Sequence, residues 1–294
     1  MQTKETIINT GKYKFRIVDN TLFFDNKIYC RNIKIGGNVS DCVNVSISYN
    51  NGEPVSAYIP ILSYSPECSI GTLLDSGTGS VIMINTIIDY VKKEFPMLAS
   101  IKFEDMSSIE CANEDEIKAK SINLRKKTYI KPIELYYFSI AFNGITWYEK
   151  YFGATMNTIE KQNAYRKNVN ALMTSKPDFH FFLEQASPPV EVVDKLKKYY
   201  EKALSIESFF KSIPRDERCI LVRDWLYNFM NNQLGKTFNN KDWIIPLKNS
   251  FKTESQQTTK KGGKNKTQKY YCPKGKINMH NVLHFIGKID SETV

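Results

Sequence analysis

A glycine-containing loop at residues 75–80 stands directly before a helical pattern. Gly77 and Gly79 are separated by one residue, and Ser80 precedes the first apolar residue of the pattern. Free N–H groups and the positive dipole end of a helix N-terminus attract anions, and glycines let a phosphate approach the backbone. No G-K-[ST] follows, and the third glycine of G-x-G-x-x-G is missing. The loop is therefore either a structural turn or an anion site built from Gly77, Thr78, Gly79 and Ser80.

Two adjacent carboxylates, Glu104 and Asp105, follow the apolar segment that starts at Ser100. A general base must come within hydrogen-bond reach of the proton it removes, directly or through one water. Because side chains alternate along a strand, these two carboxylates point to opposite faces, and only one can serve a given cleft. Both are candidate catalytic bases, and a solvated strand end is the alternative.

Histidine and cysteine do not form a complete metal motif. His280 and His284 are four residues apart, and Cys272 lies eight residues before His280. A structural zinc site takes four ligands, and no fourth is evident, so we expect no metal. The six cysteines are scattered without a C-x-x-C pair. This spacing is unlike a dense disulfide framework and predicts reduced thiols.

The positive charge is concentrated towards the end of the chain. The net charge is +10, and residues 251–276 hold eight lysines and one acid. Lysines neutralise phosphates and tyrosines stack on unpaired bases, which favours sequence-independent nucleic-acid binding; a solvated insert is the alternative. Arginine is absent from residue 251 onward, so base-edge reading is not expected. The lysines proposed to contact a polyanion are Lys260, Lys261, Lys264, Lys266 and Lys269.

The first part of the chain has the patterns of a β-rich fold. Alternating β-branched and aromatic residues predict strands at 13–19, 21–24, 27–35, 42–49, 55–64 and 69–75. Asn51-Gly52 predicts a hairpin turn, and two Asp-Asn pairs, 19–20 and 25–26, predict turns. Apolar residues at three- and four-residue steps predict a helix that starts after an N-cap at Ser80 and stops at Pro96. Residues 100–106 predict a strand, and this β-loop-α-β order implies a parallel or mixed sheet.

The patterns become mainly helical near residue 158. Residues 133–142 are apolar enough for a core strand or a buried helix start, and residues 146–154 predict a short helix closed by Gly153. We therefore predict four regions: an α/β domain (1–157), a helical region (158–250), a basic low-complexity insert (251–276) and a C-terminal segment (277–294).

The order of these elements resembles the GNAT family of acyl-CoA N-acetyltransferases. In that family the loop entering the first core helix reads R/Q-x-x-G-x-G/A and holds the CoA pyrophosphate. Gly77 and Gly79 match its last two positions, whereas Leu74 stands at the Arg/Gln position. Asp75 adds a negative charge close to the expected pyrophosphate.

A second motif of this family is an aromatic helix that reads x-x-Y-E-K-x-G-F. Tyr148, Glu149, Lys150 and Gly153 stand in similar places, with one additional residue before the glycine. The resemblance implies that Tyr148, or alternatively Tyr151, is the general acid towards the CoA sulfur.

The resemblance covers roughly residues 40–155 and implies a GNAT-like α+β fold with a mixed, mostly antiparallel sheet. It implies acetyl-CoA as the cofactor and an amine acceptor that is a small molecule or a protein. The backbone N–H near Phe103 would polarise the thioester carbonyl. Residues 103–111 and 140–154 also look like uncharacterised GNAT-like proteins of giant DNA viruses, which implies a host-cytoplasmic or virion setting. A non-enzymatic viral structural or nucleic-acid- or partner-binding protein on the same scaffold is the alternative.

The composition favours a folded chain. Hydrophobic residues make up 41% and charged residues 24% of the sequence, which are ordinary globular values. The sequence has no basic start followed by an apolar run, so it does not predict a signal peptide. No apolar run approaches the roughly 20 residues of a membrane span. We therefore expect a soluble, intracellular, cytoplasmic protein.

Overall fold

The computed structural model describes residues 1–109, 111, 132–241, 243–247 and 284–285. Its strands are β1 (Gln2–Thr10), β2 (Tyr13–Phe24), β3 (Lys27–Gly36), β4 (Asp41–Asn50), β5 (Glu53–Leu62), β6 (Ser100–Phe103), β7 (Ser108–Ile109), β8 (Ile133–Glu134), β9 (Thr155–Met156), β10 (Trp243–Pro246) and β11 (His284–Phe285). Its α-helices are α1 (Thr78–Glu94), α2 (Leu135–Asn143), α3 (Trp147–Phe152), α4 (Ile159–Thr174), α5 (Phe179–Ala186), α6 (Val190–Lys202), α7 (Ile206–Ser212), α8 (Arg215–Val222) and α9 (Leu226–Leu234). A short 3₁₀ helix spans Pro66–Cys68.

The main sheet has eight strands in the order β1-β2-β3-β4-β5-β6-β10-β9. Strands β1 to β5 form an antiparallel meander, and β5 pairs with β6 in parallel. Helix α1 makes the crossover between these two parallel strands. Strand β10 is antiparallel to both β6 and β9. The fold is thus α+β with a mixed, mostly antiparallel sheet, as the sequence predicted, and a second small sheet has the order β11-β7-β8.

Helix α1 buries the apolar face that the sequence pattern predicted. Ile84, Ile87 and Val91 are fully buried between the helix and the sheet. The predicted N-cap, Ser80, is wrong, because the cap is Gly77 with φ 75° and ψ −87°. A positive φ is strained for a residue with a Cβ, so the chain needs glycine there.

Two predicted turns are confirmed and one is wrong. Asn51 and Gly52 both have positive φ, 52° and 85°, as a two-residue hairpin turn requires. The Asp-Asn pair at 25–26 also forms a turn with positive φ at both residues. The pair at 19–20 instead lies inside β2, because the Asp19 carboxylate is buried and accepts hydrogen bonds from Arg31 and Tyr90.

The predicted strand at residues 69–75 is also wrong. The segment folds back on itself, since Leu74 N donates to Pro66 O at 2.7 Å and Gly71 has φ 74°. Ile70 N donates to Lys14 O at 2.8 Å, which holds the loop against β2. The loop therefore carries Leu74 inward and delivers the chain to the start of α1.

The later elements follow the predicted patterns, with the strand β10 as an addition. Residues 133–142 lie mostly in the buried helix α2, whose end is closed by Gly144 in the left-handed conformation. Helix α3 is closed by Gly153 in the same way, as predicted. The range 158–250, predicted as helical, also contains the strand β10. None of the helices in the described ranges is long and apolar enough to cross a bilayer.

The expectation of reduced thiols is wrong for at least four cysteines. Cys42 on β4 is bonded to Cys68 in the 3₁₀ helix, and Cys111 is bonded to Cys219 on α8. The Cα atoms of the pairs are 5.9 and 5.5 Å apart, within the ordinary range for disulfides. The second bond joins residues 108 positions apart and ties the segment after β7 to the helical part of the molecule.

Candidate active site

The parallel pairing of β5 with β6 stops at the end of β6. Its last pair is Ile59 with Phe103, and the chain then turns to a different partner. Asp105 N donates to Asn240 O at 2.7 Å, and Asn240 Nδ2 donates to Asp105 O at 3.2 Å. Asp105 is thereby held by the segment that leads into β10 rather than by β5.

Three of the predicted site residues meet at this strand end. The rings of Phe103 and Tyr148 lie with centroids 4.6 Å apart. Asp105 is fully buried, and its charge contributes to the raised pKa of the Tyr148 phenol. Ser107 lies with them, since its hydroxyl donates to Asp105 Oδ1 at 2.5 Å.

Burial sets the protonation of this cluster. It raises the pKa of Asp105 to about 7, because loss of water disfavours the carboxylate more than the hydrogen bonds from Ser107 favour it. Burial, followed by the nearby Asp105 charge, raises the pKa of Tyr148 well above its usual value. At neutral pH Tyr148 therefore keeps its proton, and Asp105 is divided between its acid and its carboxylate.

Glu104 lies on the other face of β6, as the alternation predicted. Its carboxylate contacts the Tyr58 hydroxyl, and the Tyr58 pKa is raised first by burial and then by the Glu104 charge. Tyr151 is half-buried and packs on Trp147 with ring centroids 5.4 Å apart. Of the catalytic candidates, Asp105 and Tyr148 are the pair that the structure brings together.

Glu149, which matched the family motif, has a structural role. Its carboxylate accepts from the Thr146 backbone at 2.9 Å, which closes a capping box at the start of α3. The same carboxylate accepts from Tyr165 at 3.0 Å and pairs with Arg166 at 3.0 Å, so it also fixes α4 against α3.

The structure of the loop at 75–80 explains why both Gly77 and Gly79 are glycines. Gly77 adopts a positive φ, and a Cβ on Gly79 would lie 2.8 Å from the buried Leu74 side chain. Leu74 itself is held by Tyr64, whose hydroxyl donates to Leu74 O at 2.9 Å. The turn interpretation therefore explains both glycines without a ligand.

The start of α1 nevertheless keeps features of an anion site. Gly77 supplies no side-chain cap and no acidic residue occupies the first turn. Thr78 is exposed, and the buried Ser80 Oγ has no hydrogen-bond partner. The helix N-terminus thus has donors that a bound anion would satisfy.

The carboxylate of Asp75, next to this loop, is paired with other side chains. Its carboxylate accepts from Lys12 at 2.6 Å and from Tyr13 at 2.7 Å. The hydrogen bond from Lys12, followed by that from Tyr13, lowers the pKa of Asp75. Lys12 therefore offsets the repulsion that the sequence predicted for an anion at Gly77.

Ser107 is the site residue that the sequence reasoning missed. No family motif includes it, but it stands two residues after Asp105. Aspartate commonly accepts from the backbone N–H two residues on, and Ser107 N does donate to Asp105 Oδ1 at 3.2 Å. This Asp-x-Ser spacing was the signal available.

Other predicted features lie outside the described residues. They include the lysines of the basic insert, Cys272 and His280, while His284 is described only as part of β11. Within the described ranges no group of three or more His, Cys, Asp or Glu side chains could hold a metal ion.

A scan of protein-family models finds no matching family, and searches of curated proteins and of solved structures find no match.

Proposed function

We propose that the chain is an acetyl-CoA-dependent N-acyltransferase with a GNAT-like core. In this proposal the pyrophosphate lies at the start of α1, and the thioester enters where β5 and β6 cease to pair. Tyr148 gives a proton to the leaving sulfur. The acceptor is an amine.

The observation that supports this proposal is the meeting of Asp105 and Tyr148 beside Phe103. The sequence proposed these two residues from different motifs, one at a strand end and one on an aromatic helix. The fold joins them in one buried cluster at the end of a parallel strand pair. Because Tyr148 keeps its proton at neutral pH, it has the protonation state that a general acid needs.

The tight packing also favours a second function, a non-catalytic binding protein on the same scaffold. Tyr148 is 3% exposed and Asp105 is 1% exposed. Leu74 packs against Gly79 inside the loop. A protein of this kind would keep the shape of the site and hold a partner or nucleic acid elsewhere. Binding and turnover of acetyl-CoA separate the two functions.

Thr78→Asp is expected to abolish stabilisation by acetyl-CoA while leaving the free protein folded. Millimolar acetyl-CoA should raise the melting temperature of the wild type, because a ligand at a hundredfold excess over Kd adds about 2.7 kcal/mol. Thr78 is the first residue of α1 and is exposed. A carboxylate there stabilises the free helix by about 0.5 kcal/mol but repels a pyrophosphate.

Thr78→Asn is the matched control, since it has the same shape without the charge. It should keep the acetyl-CoA shift. The absence of a shift in the wild type would overturn the proposed function. An unchanged shift in Thr78→Asp would place the ligand elsewhere.

Tyr148→Phe should lower the turnover of acetyl-CoA about a hundredfold with a suitable amine, because it removes the proton donor and keeps the ring on Phe103. The fold should survive, since phenylalanine fills almost the same volume as tyrosine. Tyr151→Phe is the comparison, because Tyr151 is the alternative acid. If only Tyr151→Phe reduces turnover, the assignment of Tyr148 is wrong.

A further inference from the structure

The Cys42–Cys68 and Cys111–Cys219 disulfides differ in their access to solvent. Cys42 and Cys68 are 1% and 0% exposed, so their bond lies inside the core between β4 and the 3₁₀ helix. In the other bond Cys111 is 2% exposed, but Cys219 on α8 is only partly buried. A thiolate must reach one sulfur of a disulfide to break it. Of these four cysteines, Cys219 is therefore the one that an external thiol can attack.

Arginines flank Cys219 on α8. Arg215 lies four residues before it and Arg223 four residues after it, so both share its side of the helix. The helical path extends as far as Arg223, because the Arg223 backbone N–H donates to Cys219 O at 3.2 Å. Asp216, three residues before Cys219, shares this side and offsets one of the two charges. The remaining positive charge attracts an anionic reagent and favours a thiolate over a thiol.

The Arg223 side chain also reaches the other cysteine of this bond. Its Nη1 donates to Cys111 O at 2.9 Å, so the guanidinium lies against the backbone of Cys111. Its Nε pairs with Asp224 at 3.2 Å, which fixes its orientation. The hydrogen bond to Cys111 does not involve the sulfur atoms. It therefore remains available after reduction and would keep Cys111 beside Cys219.

We propose that the Cys111–Cys219 bond is a thiol–disulfide exchange site for a small anionic thiol of the glutathione type. This inference does not depend on the proposed acyltransferase function. The external thiolate attacks Cys219 Sγ, the S–S bond breaks, and Cys111 leaves as a thiolate that takes a proton from water. The product is a mixed disulfide on Cys219, which is a reversible modification.

The mixed disulfide can be resolved in two ways. A second molecule of the external thiol can attack its own sulfur in the mixed disulfide and release Cys219 as a thiolate. Two electrons then pass from two thiol molecules to the protein, and the two thiols leave joined by a disulfide. Alternatively, Cys111 attacks Cys219 Sγ and expels the external thiolate, which restores the original bond. The Arg223 hydrogen bond favours this second route because it keeps Cys111 in place.

Reduction of the native protein by glutathione tests this proposal. Samples are quenched with acid at intervals and unfolded, and their free thiols are alkylated. Mass spectrometry then measures the peptide that carries each cysteine. Cys219 and Cys111 should lose their bond about ten times faster than Cys42 and Cys68, because a buried disulfide has to wait for the fold to open. The transient glutathione adduct should lie on Cys219.

Two results of this experiment would overturn the proposal. If both disulfides open at the same rate, glutathione reaches them only through unfolding of the whole chain, and Cys219 is not an exchange site. If the adduct lies on Cys111, the external thiol attacks the buried sulfur, and the exposure of Cys219 does not direct the reaction.

Charge variants test the preference for an anionic thiol. Arg223→Gln can still donate a hydrogen bond to Cys111 O but has no charge, and Arg215→Gln removes the other positive charge. The double variant should react about threefold more slowly with glutathione and be slowed less with 2-mercaptoethanol, which carries no charge besides its thiolate. Lys197→Gln, which removes an exposed charge on α6, is the control and should leave both rates unchanged. Equal slowing with both thiols, or no slowing with glutathione, would overturn the anionic preference.

Discussion

Asp105→Asn should stabilise the protein at neutral and alkaline pH while changing little below about pH 4. The carboxyl is buried, and its pKa is raised from 3.8 to about 7. A raised pKa means that the folded state binds the proton more tightly than the unfolded state does. The stabilisation that this group contributes is fully present below its pKa in the unfolded state. It is lost as the pH rises through its pKa in the folded state. Each pKa unit corresponds to about 1.4 kcal/mol, so the free energy of unfolding changes by about 4 kcal/mol in total.

The amide has nearly the same shape as the acid and stays neutral at every pH. Its oxygen can accept the two hydrogen bonds that Ser107 donates to Asp105 Oδ1. Urea denaturation at several pH values between about 4 and about 8 gives the measurement. The difference in unfolding free energy, variant minus wild type, should rise by about 4 kcal/mol across this range.

Asp194→Asn is a matched control, because it removes an exposed carboxylate with the same change in charge. For this variant, the difference in unfolding free energy from the wild type should vary by less than about 1 kcal/mol over the same pH range. If the unfolding free energies of Asp105→Asn and of the wild type depend on pH in the same way, Asp105 is not held neutral by burial.

Local chemistry made part of this fold predictable from the sequence. The hairpin turn follows from Asn51-Gly52, and the end of α3 follows from Gly153. Each of these positions takes a positive φ that few residues tolerate. The alternation of β6 also placed Glu104 and Asp105 on opposite faces, because the two-residue period of a strand is a property of the backbone.

Features that depend on distant partners could not be predicted in this way. Strand β10 has four residues and enters the sheet beside β6, about 140 positions away in sequence. The two disulfides likewise need a folded chain, since cysteine spacing does not determine connectivity. The contact of Tyr148 with Phe103 belongs to the same group, because it arises only when α3 brings Tyr148 to the end of β6.

Asp19 is a further example in which a distant partner overrides a local signal. Asp-Asn usually favours a turn, yet Asp19 lies within β2 with 2% exposure. Arg31 on β3 donates to it through Nε at 3.0 Å and through Nη2, and Tyr90 on α1 donates at 3.1 Å. Arg31 also lies 4.6 Å from the Phe95 ring. One carboxylate thus connects two strands with the helix that carries the proposed anion site.

Asp19→Ala should therefore destabilise the protein by about 3 kcal/mol, because it leaves the Arg31 charge and the Tyr90 hydroxyl buried without this acceptor. Urea denaturation at neutral pH measures the loss. Asp41→Ala is the matched control on the same sheet. Its pairs with Arg16 and Lys34 are partly exposed, so its loss should be about 0.5 kcal/mol.

The double variant Asp19→Ala with Arg31→Met separates a buried charge from lost packing. Removing both charges eliminates a guanidinium that would keep only Glu94 as an acidic partner, at 3.7 Å. Replacing a buried ion pair by apolar groups is often neutral or stabilising. The double variant should therefore be more stable than Asp19→Ala alone. If Asp19→Ala costs no more than Asp41→Ala, the network contributes little, and α1 is held to the sheet by its apolar face. If the double variant is no more stable than the single one, the loss comes from packing and not from the buried charge of Arg31.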